Sequence, residues 1–240
     1  MAATFLAFDL EISRIVPDFN QWRSFRPLGI SCAATMDEAG QSRLWYGKLD
    51  DGTPASRMTQ ADAQGLLAYL TAEQDGGRTV VTWNGTAFDF DILGEEAADP
   101  QTAARVAMDH ADLMFAFVCV QGFRLGLKQA AQACGSSKGA AGIASGEEIP
   151  QLWADGQFDR VLAYVEQDVR ATADVTHYLL AHHGFRWTTQ SGSSKQFSLP
   201  RPVKTLHDMT VSQALSWPEP DTSWMTNPPR RQDFLWWTDR

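Results

Sequence analysis

The chain has few cysteines, no long apolar run, no internal repeat and no excess of basic charge. Its three cysteines, Cys32, Cys119 and Cys134, stand far apart and form no CxxC pair. That argues against a disulfide framework or a thiolate zinc site and points to a reducing compartment. No window approaches the roughly 20 apolar residues of a membrane span. The apolar stretch from Ala2 to Phe8 lacks a basic flank, is too short for a signal peptide and runs straight into Asp9. The expectation is a cytoplasmic protein with no membrane partner. Twenty Lys and Arg against 29 Asp and Glu give a net charge of −9. Bulk charge of that sign does not hold duplex DNA or an anionic membrane.

What is present is a globular composition. Of 240 residues, 44% are hydrophobic and 11% aromatic, which is enough to bury a sizeable core. The length fits one α/β domain with an appendage. Thr4 to Ile12 reads as a strong strand, and Leu28 to Thr35 and Arg43 to Leu49 as weaker ones. With a turn at Asp37 to Gly40 they form an antiparallel meander. Thr59 to Glu73 reads as a helix, with Thr59 as N-cap, a Leu66, Leu67 and Leu70 stripe, and Gly76-Gly77 as the stop. Thr79 to Trp83 is a short β-branched run typical of a strand buried on both faces. The second half reads as helical: a short helix from Leu125 to Cys134, a small-residue loop from Gly135 to Gly146, and a long helix from about Phe158 to His182. The pattern is a mixed central sheet flanked by helices.

Residues 184–240 change character. They hold five of the nine Trp and six of the eleven Pro, with seven bases against five acids. Trp argues against disorder, and Pro against a regular helix or central strand. The expected organisation is a domain over 1–183 and an irregular Trp- and Pro-rich C-terminal arm over 184–240, packed on it.

Three acidic stretches carry the chemistry. On the first strand the side chains of Phe5, Ala7, Asp9 and Glu11 share one face. Two like charges this close repel, and a hard divalent ion relieves that repulsion. In TWNGTAFDFDIL a buried strand ends at Asn84-Gly85 and a new element begins near Phe88. Asp89 then sits just beyond the carboxyl end of a strand, where open α/β sheets place their ligands. Asp91 lies roughly 200° from Asp89 around a helix, so only one of the two can face such a site. In YVEQD, Tyr164 and Asp168 are one helical turn apart, on a stripe with Val161, Thr172 and Val175. A lone carboxylate there has ordinary explanations: a strand end in solvent, a helix cap, a salt bridge. The ordered set is more specific.

FDLE (Asp9, Glu11), NGTAFD (Asn84, Phe88, Asp89) and YVEQD (Tyr164, Asp168) together resemble the DEDD, or DnaQ-like, 3′–5′ exonucleases of the ribonuclease H-like superfamily. The YxxxD form is that of the tyrosine subgroup. The histidine form would need His at the position that Ala163 holds. The set is most similar to the exonuclease domain of family B DNA polymerases and its stand-alone prokaryotic relatives. It spans roughly residues 4–182. Ile12 departs from the Thr or small residue of many relatives, and the arm lies outside the pattern.

The resemblance implies a ribonuclease H-like fold and two-metal hydrolysis of phosphodiester bonds at the 3′ end of nucleic acid, single-stranded DNA favoured over RNA, with two Mg²⁺ or Mn²⁺ ions. Asp9 would bridge both ions, Glu11 and Asp168 complete the shell of the first, and Asp89 serve the second. Tyr164 would orient the attacking water. Asn84 and Phe88 would hold the terminal nucleotide, by hydrogen bond and stacking. Net acidity fits an enzyme whose carboxylates surround metal, with local bases such as Arg124, Lys128, Lys138 and those of the arm meeting substrate. The alternative is an inactive module of the same fold that grips a 3′ end or a protein.

Overall fold

The computed structural model describes residues 4–136, 142–189, 191–199 and 205–239. The first strand, β1 (Phe5–Ile12), is apolar on both faces. It is followed by a short 3₁₀ segment, Phe19–Phe25. β2 (Ile30–Asp37) and β3 (Ser42–Tyr46) complete an antiparallel meander with β1. α1 (Gln60–Asp75) starts in a reciprocal Thr59–Asp62 capping box, which satisfies donors the helix start would otherwise leave open. β4 (Thr79–Thr82) returns parallel to β1. Then come α2 (Asp89–Glu96), α3 (Pro100–Asp109), the two-residue β5 (Ala111–Asp112) and α4 (Leu113–Gln121). α5 (Leu127–Ala133), α6 (Ile149–Ala154) and the 25-residue α7 (Phe158–His182) close the helical half.

The sheet order is β3-β2-β1-β4-β5, with β1 central, the first three strands antiparallel and β4 and β5 parallel to it. This is the mixed α/β architecture that the element pattern predicts. Alternation along β1 feeds two cores. Phe5 and Ala7 join Val161, Val165 and Val169 of α7 on one face. Leu6, Phe8, Leu10 and Ile12 join α1, α2 and α3 on the other, through Leu66, Leu70, Ile92 and Val106. Burying both faces explains why β1 reads as a nearly continuous apolar run, interrupted only by its two acids.

Some boundaries differ from the sequence reading. β3 stops at Tyr46, and α5 starts at Leu127, where Gln129 accepts from the Gly126 N–H. Arg124 therefore precedes the helix, and its guanidinium lies over the Phe234 ring, 4.9 Å from the centroid. α7 ends on His183 in the left-handed region (φ 52°), with Gly184 opening the next strand. The chain beyond 183 is less irregular than its proline content implies. It begins with an antiparallel hairpin of β6 (Gly184–Thr188) and β7 (Ser194–Ser198) and includes a short α8 (Val211–Ala214). Phe185 and Trp187 meet the edge of Phe117 at 5.4 and 5.2 Å, and Phe234 meets Phe115 at 5.3 Å. The buried Arg231 donates to the carbonyls of Cys119, Leu215, Trp217 and Pro218. Lys138, Arg201 and Lys204 lie outside the described residues, as does the middle of the 135–146 loop. Among the described residues, no helix is long and apolar enough to cross a membrane.

Candidate active site

The site forms where β4 leaves β1. Their ladder ends at Ala7 opposite Val81. Past it, the Leu10 N–H donates to Asp89 Oδ1 at 2.9 Å, so a carboxylate from α2 takes over the edge that the strand vacates. Asp9 and Glu11 project from this uncovered end of β1 toward α7, which crosses the same face. There Asp168 faces them, with Tyr164 one turn earlier. One carboxylate oxygen from each of Asp9, Glu11 and Asp168 lies within 4.8 Å of the others. Glu11, Asp168, Tyr164 and Asp89 are buried, and Asp9 is half-buried. All five border one cleft of about 280 Å³.

The turn after β4 is held by carboxylate and hydroxyl acceptors. Asp112 Oδ1 accepts from the N–H groups of Asn84 (2.9 Å) and Phe115 (3.0 Å), and Oδ2 accepts from Thr86 N–H (2.9 Å). Thr82 Oγ1 accepts from Gly85 N–H and hydrogen-bonds His110 Nε2 at 2.9 Å. Asn84 adopts φ 75°, which asparagine tolerates better than most residues. At Gly85 a Cβ would sit 2.5 Å from Thr82 Oγ1, so only glycine fits. This turn presents Asn84 and Phe88 to the cleft.

The electrostatics are those of crowded carboxylates. Burial pushes the Asp89 carboxyl up to about 7, against the Leu10 hydrogen bond and with help from Asp112 and Asp168. Burial, then the charges of Asp168, Glu11 and Asp9, drive the Tyr164 hydroxyl well above its ordinary value, so it stays protonated. Cys32 of β2, paired with Glu11 of β1, has its thiol raised by burial and by Glu11 and Asp9. Clustered hard oxygen donors in a negative field fit a hard divalent cation.

Every residue singled out from the sequence for this site lines the cleft: Asp9, Glu11, Asn84, Phe88, Asp89, Tyr164 and Asp168. Asp91 points away and pairs with Arg26 at 2.5 Å and Arg23 at 3.5 Å. Sequence reasoning missed Phe19 and the Ser145–Glu147 turn, which also border the cleft. The signal for Phe19 was available. FNQWRSF puts three aromatics and a base in a connection between strands, where a polar loop is the norm. Gly146 comes close enough that a Cβ would lie 3.8 Å from the Tyr164 hydroxyl and 3.9 Å from Glu11 Oε2.

A family model described as the RNase_H superfamily matches residues 53–180, just over half of the chain. The chain belongs to the RNase_H superfamily. Among solved structures, this RNase_H superfamily member is similar to the family B DNA polymerase of the hyperthermophilic archaeon Pyrobaculum calidifontis. The TM-score is 0.55 at 17% identity, over 90% of this chain and 28% of the polymerase. It is also similar to exonuclease I, with a TM-score of 0.38 at 16% identity, over 75% of this chain and 44% of that one. The chain thus spans less than half the length of either. No curated protein matches it. The polymerase likeness shows a shared fold, and the family and fold agree with the resemblance drawn from the three motifs.

Proposed function

We propose that the protein is a metal-dependent 3′–5′ exonuclease that hydrolyses phosphodiester bonds at the 3′ end of nucleic acid, single-stranded DNA in preference to RNA. The observation that carries the proposal is the convergence of Asp9, Glu11 and Asp168 to within 4.8 Å, from a strand and a helix far apart in sequence, in a cleft that Asp89 and Tyr164 share. The direction of attack rests on the resemblance of the ordered motifs to DEDD exonucleases.

Asp9, Glu11 and Asp168 would hold one Mg²⁺ or Mn²⁺ ion, and Asp9 with Asp89 a second. Bound divalent ions would supply Lewis acidity for phosphodiester hydrolysis. The protein's own groups do the positioning. Tyr164, held protonated, aligns water by hydrogen bonding and is no base at neutral pH. Phe88, with Phe19 beside it at 6.3 Å, offers an aromatic wall for the terminal base, and Asn84 a hydrogen-bonding edge. Asp112 fixes the turn that carries both.

The test is release of mononucleotides from a 5′-labelled single strand in Mg²⁺ or Mn²⁺. Asp9→Ala and Asp168→Ala are each expected to lower the rate by at least ~100-fold, since each removes a charge on which metal binding depends. A folded wild type that binds a 3′ end but degrades nothing in either ion would replace the enzyme with the binding module.

A further inference from the structure

Beside the cleft lies a second concavity, about 460 Å³, that brings three arginines together from opposite ends of the chain: Arg23, Arg26 and Arg230, with Asp91, Asp233 and Trp236 among its walls. Such a gathering is unexpected on a molecule with nine more acids than bases. The two cavities are linked by a chain of contacts. Arg23 donates to the Ala87 carbonyl at 3.0 Å, next to Phe88 of the cleft wall, and its guanidinium stacks on Trp22 at 4.3 Å. Trp22 in turn packs edge-on against Phe88 at 5.1 Å. A chain of packed aromatic and guanidinium groups therefore links the cleft wall to the second concavity.

The arginines are not equivalent. Arg26 is spent on structure: it is largely buried and holds the buried Asp91 at 2.5 Å, with Glu95 at 3.6 Å. Arg23 and Arg230 keep 48% and 76% of their side chains exposed. Arg23 reaches Asp91 from Nε at 3.5 Å, and Arg230 donates from Nε and Nη2 to Asp233 Oδ1 at 3.1 and 2.8 Å. Their exposed guanidinium groups are cations of the kind that pairs with phosphate oxygens. Trp236 is buried beneath the concavity and closes its floor.

We infer that this concavity takes the backbone phosphates of the strand upstream of the terminal nucleotide, with Arg23 and Arg230 as the contacts. The inference rests on the exonuclease reading and adds to it a path for the substrate. It also gives the C-terminal arm a part in binding through Arg230, which lies outside the residues that the family model matches.

The experiment measures binding of single-stranded DNA by fluorescence anisotropy in EDTA, so that no cleavage occurs, across a salt series. Two lengths are used, about 4 and about 16 nucleotides, spanning the site sizes of single-strand binders. Arg230→Gln is compared with wild type and with Arg105→Gln, a charge control on an exposed arginine of α3 outside this concavity. The expected result for Arg230→Gln is a loss of affinity for the long oligonucleotide several-fold larger than for the short one, and a log–log salt slope shallower by ~0.7. Arg23→Gln is expected to do the same, and Arg105→Gln to do neither. Melting temperatures report whether each variant is folded. If both variants at 23 and 230 keep wild-type affinity and slope at both lengths while wild type cleaves in Mg²⁺, the path is wrong and the exonuclease stands. If wild type neither binds nor cleaves either length, both fall.

Discussion

At Asp89 burial and charge are in conflict. Its carboxyl is buried beside Asp112 and Asp168, with the Leu10 N–H as compensation, and burial dominates. The sign follows directly. A carboxyl raised from 3.8 to about 7 by folding is protonated in the folded protein over a range where the unfolded chain has already ionised. Metal-free protein should therefore lose stability as pH rises from about 4 to about 7. Asp89→Asn should flatten that slope, as measured by melting temperature in EDTA at stepped pH. Mg²⁺ should flatten it for wild type, because a bound cation favours the ionised carboxylate. A wild-type profile that rises through this window, unchanged in Asp89→Asn, would show that the Asp89 carboxyl is not raised by folding.

At the scale of elements, the site depends on a turn that bonds within elements cannot hold. Between β4 and α2 the chain adopts a left-handed residue at Asn84 and a Cβ-intolerant one at Gly85, and the Asp112 carboxylate ties down the N–H groups on either side. Asp112→Asn keeps the shape but removes one acceptor oxygen, leaving a buried N–H unmet at a cost of about 1–3 kcal/mol. The melting temperature should fall by roughly 5 °C. Because the turn carries Asn84 and Phe88, while Asp89 is anchored separately by the Leu10 N–H, KM should rise more than kcat falls. An unchanged KM would separate the turn from substrate binding.

Much of this was legible in the sequence where local rules and tertiary context agree. The alternation in FLAFDLEI gave β1 its two faces, TVVT gave a buried strand, and the Thr59–Asp62 box gave the start of α1. The convergence of Asp9 and Glu11 with Asp168 was implied by the resemblance of the ordered motifs, and the face assignments on the strand and the helix agree with it. What was not legible depends on contacts between distant segments. Asp112 shows its role only once β5 lies beside β4. The FNQWRSF segment shows its own only when Phe19 and Trp22 reach Phe88. The hairpin of β6 and β7 was hidden because the prolines of that region lie outside its two strands.

For the whole molecule, the net charge of −9 and the apolar sheet have one joint consequence. The fold places like charges at the open end of its central strand, where they repel, and leaves that repulsion for a cation to relieve. The central claim is that Asp9, Glu11, Asp89 and Asp168 together bind divalent metal. Titration of metal-stripped protein with Mn²⁺, followed by electron paramagnetic resonance of the free ion, tests this without substrate. Wild type is expected to take up two ions, with uptake sharply weakened in Asp9→Asn and Asp168→Asn variants that remain folded. Wild-type protein that takes up no Mn²⁺, or folded variants that take up as much as wild type, would contradict it.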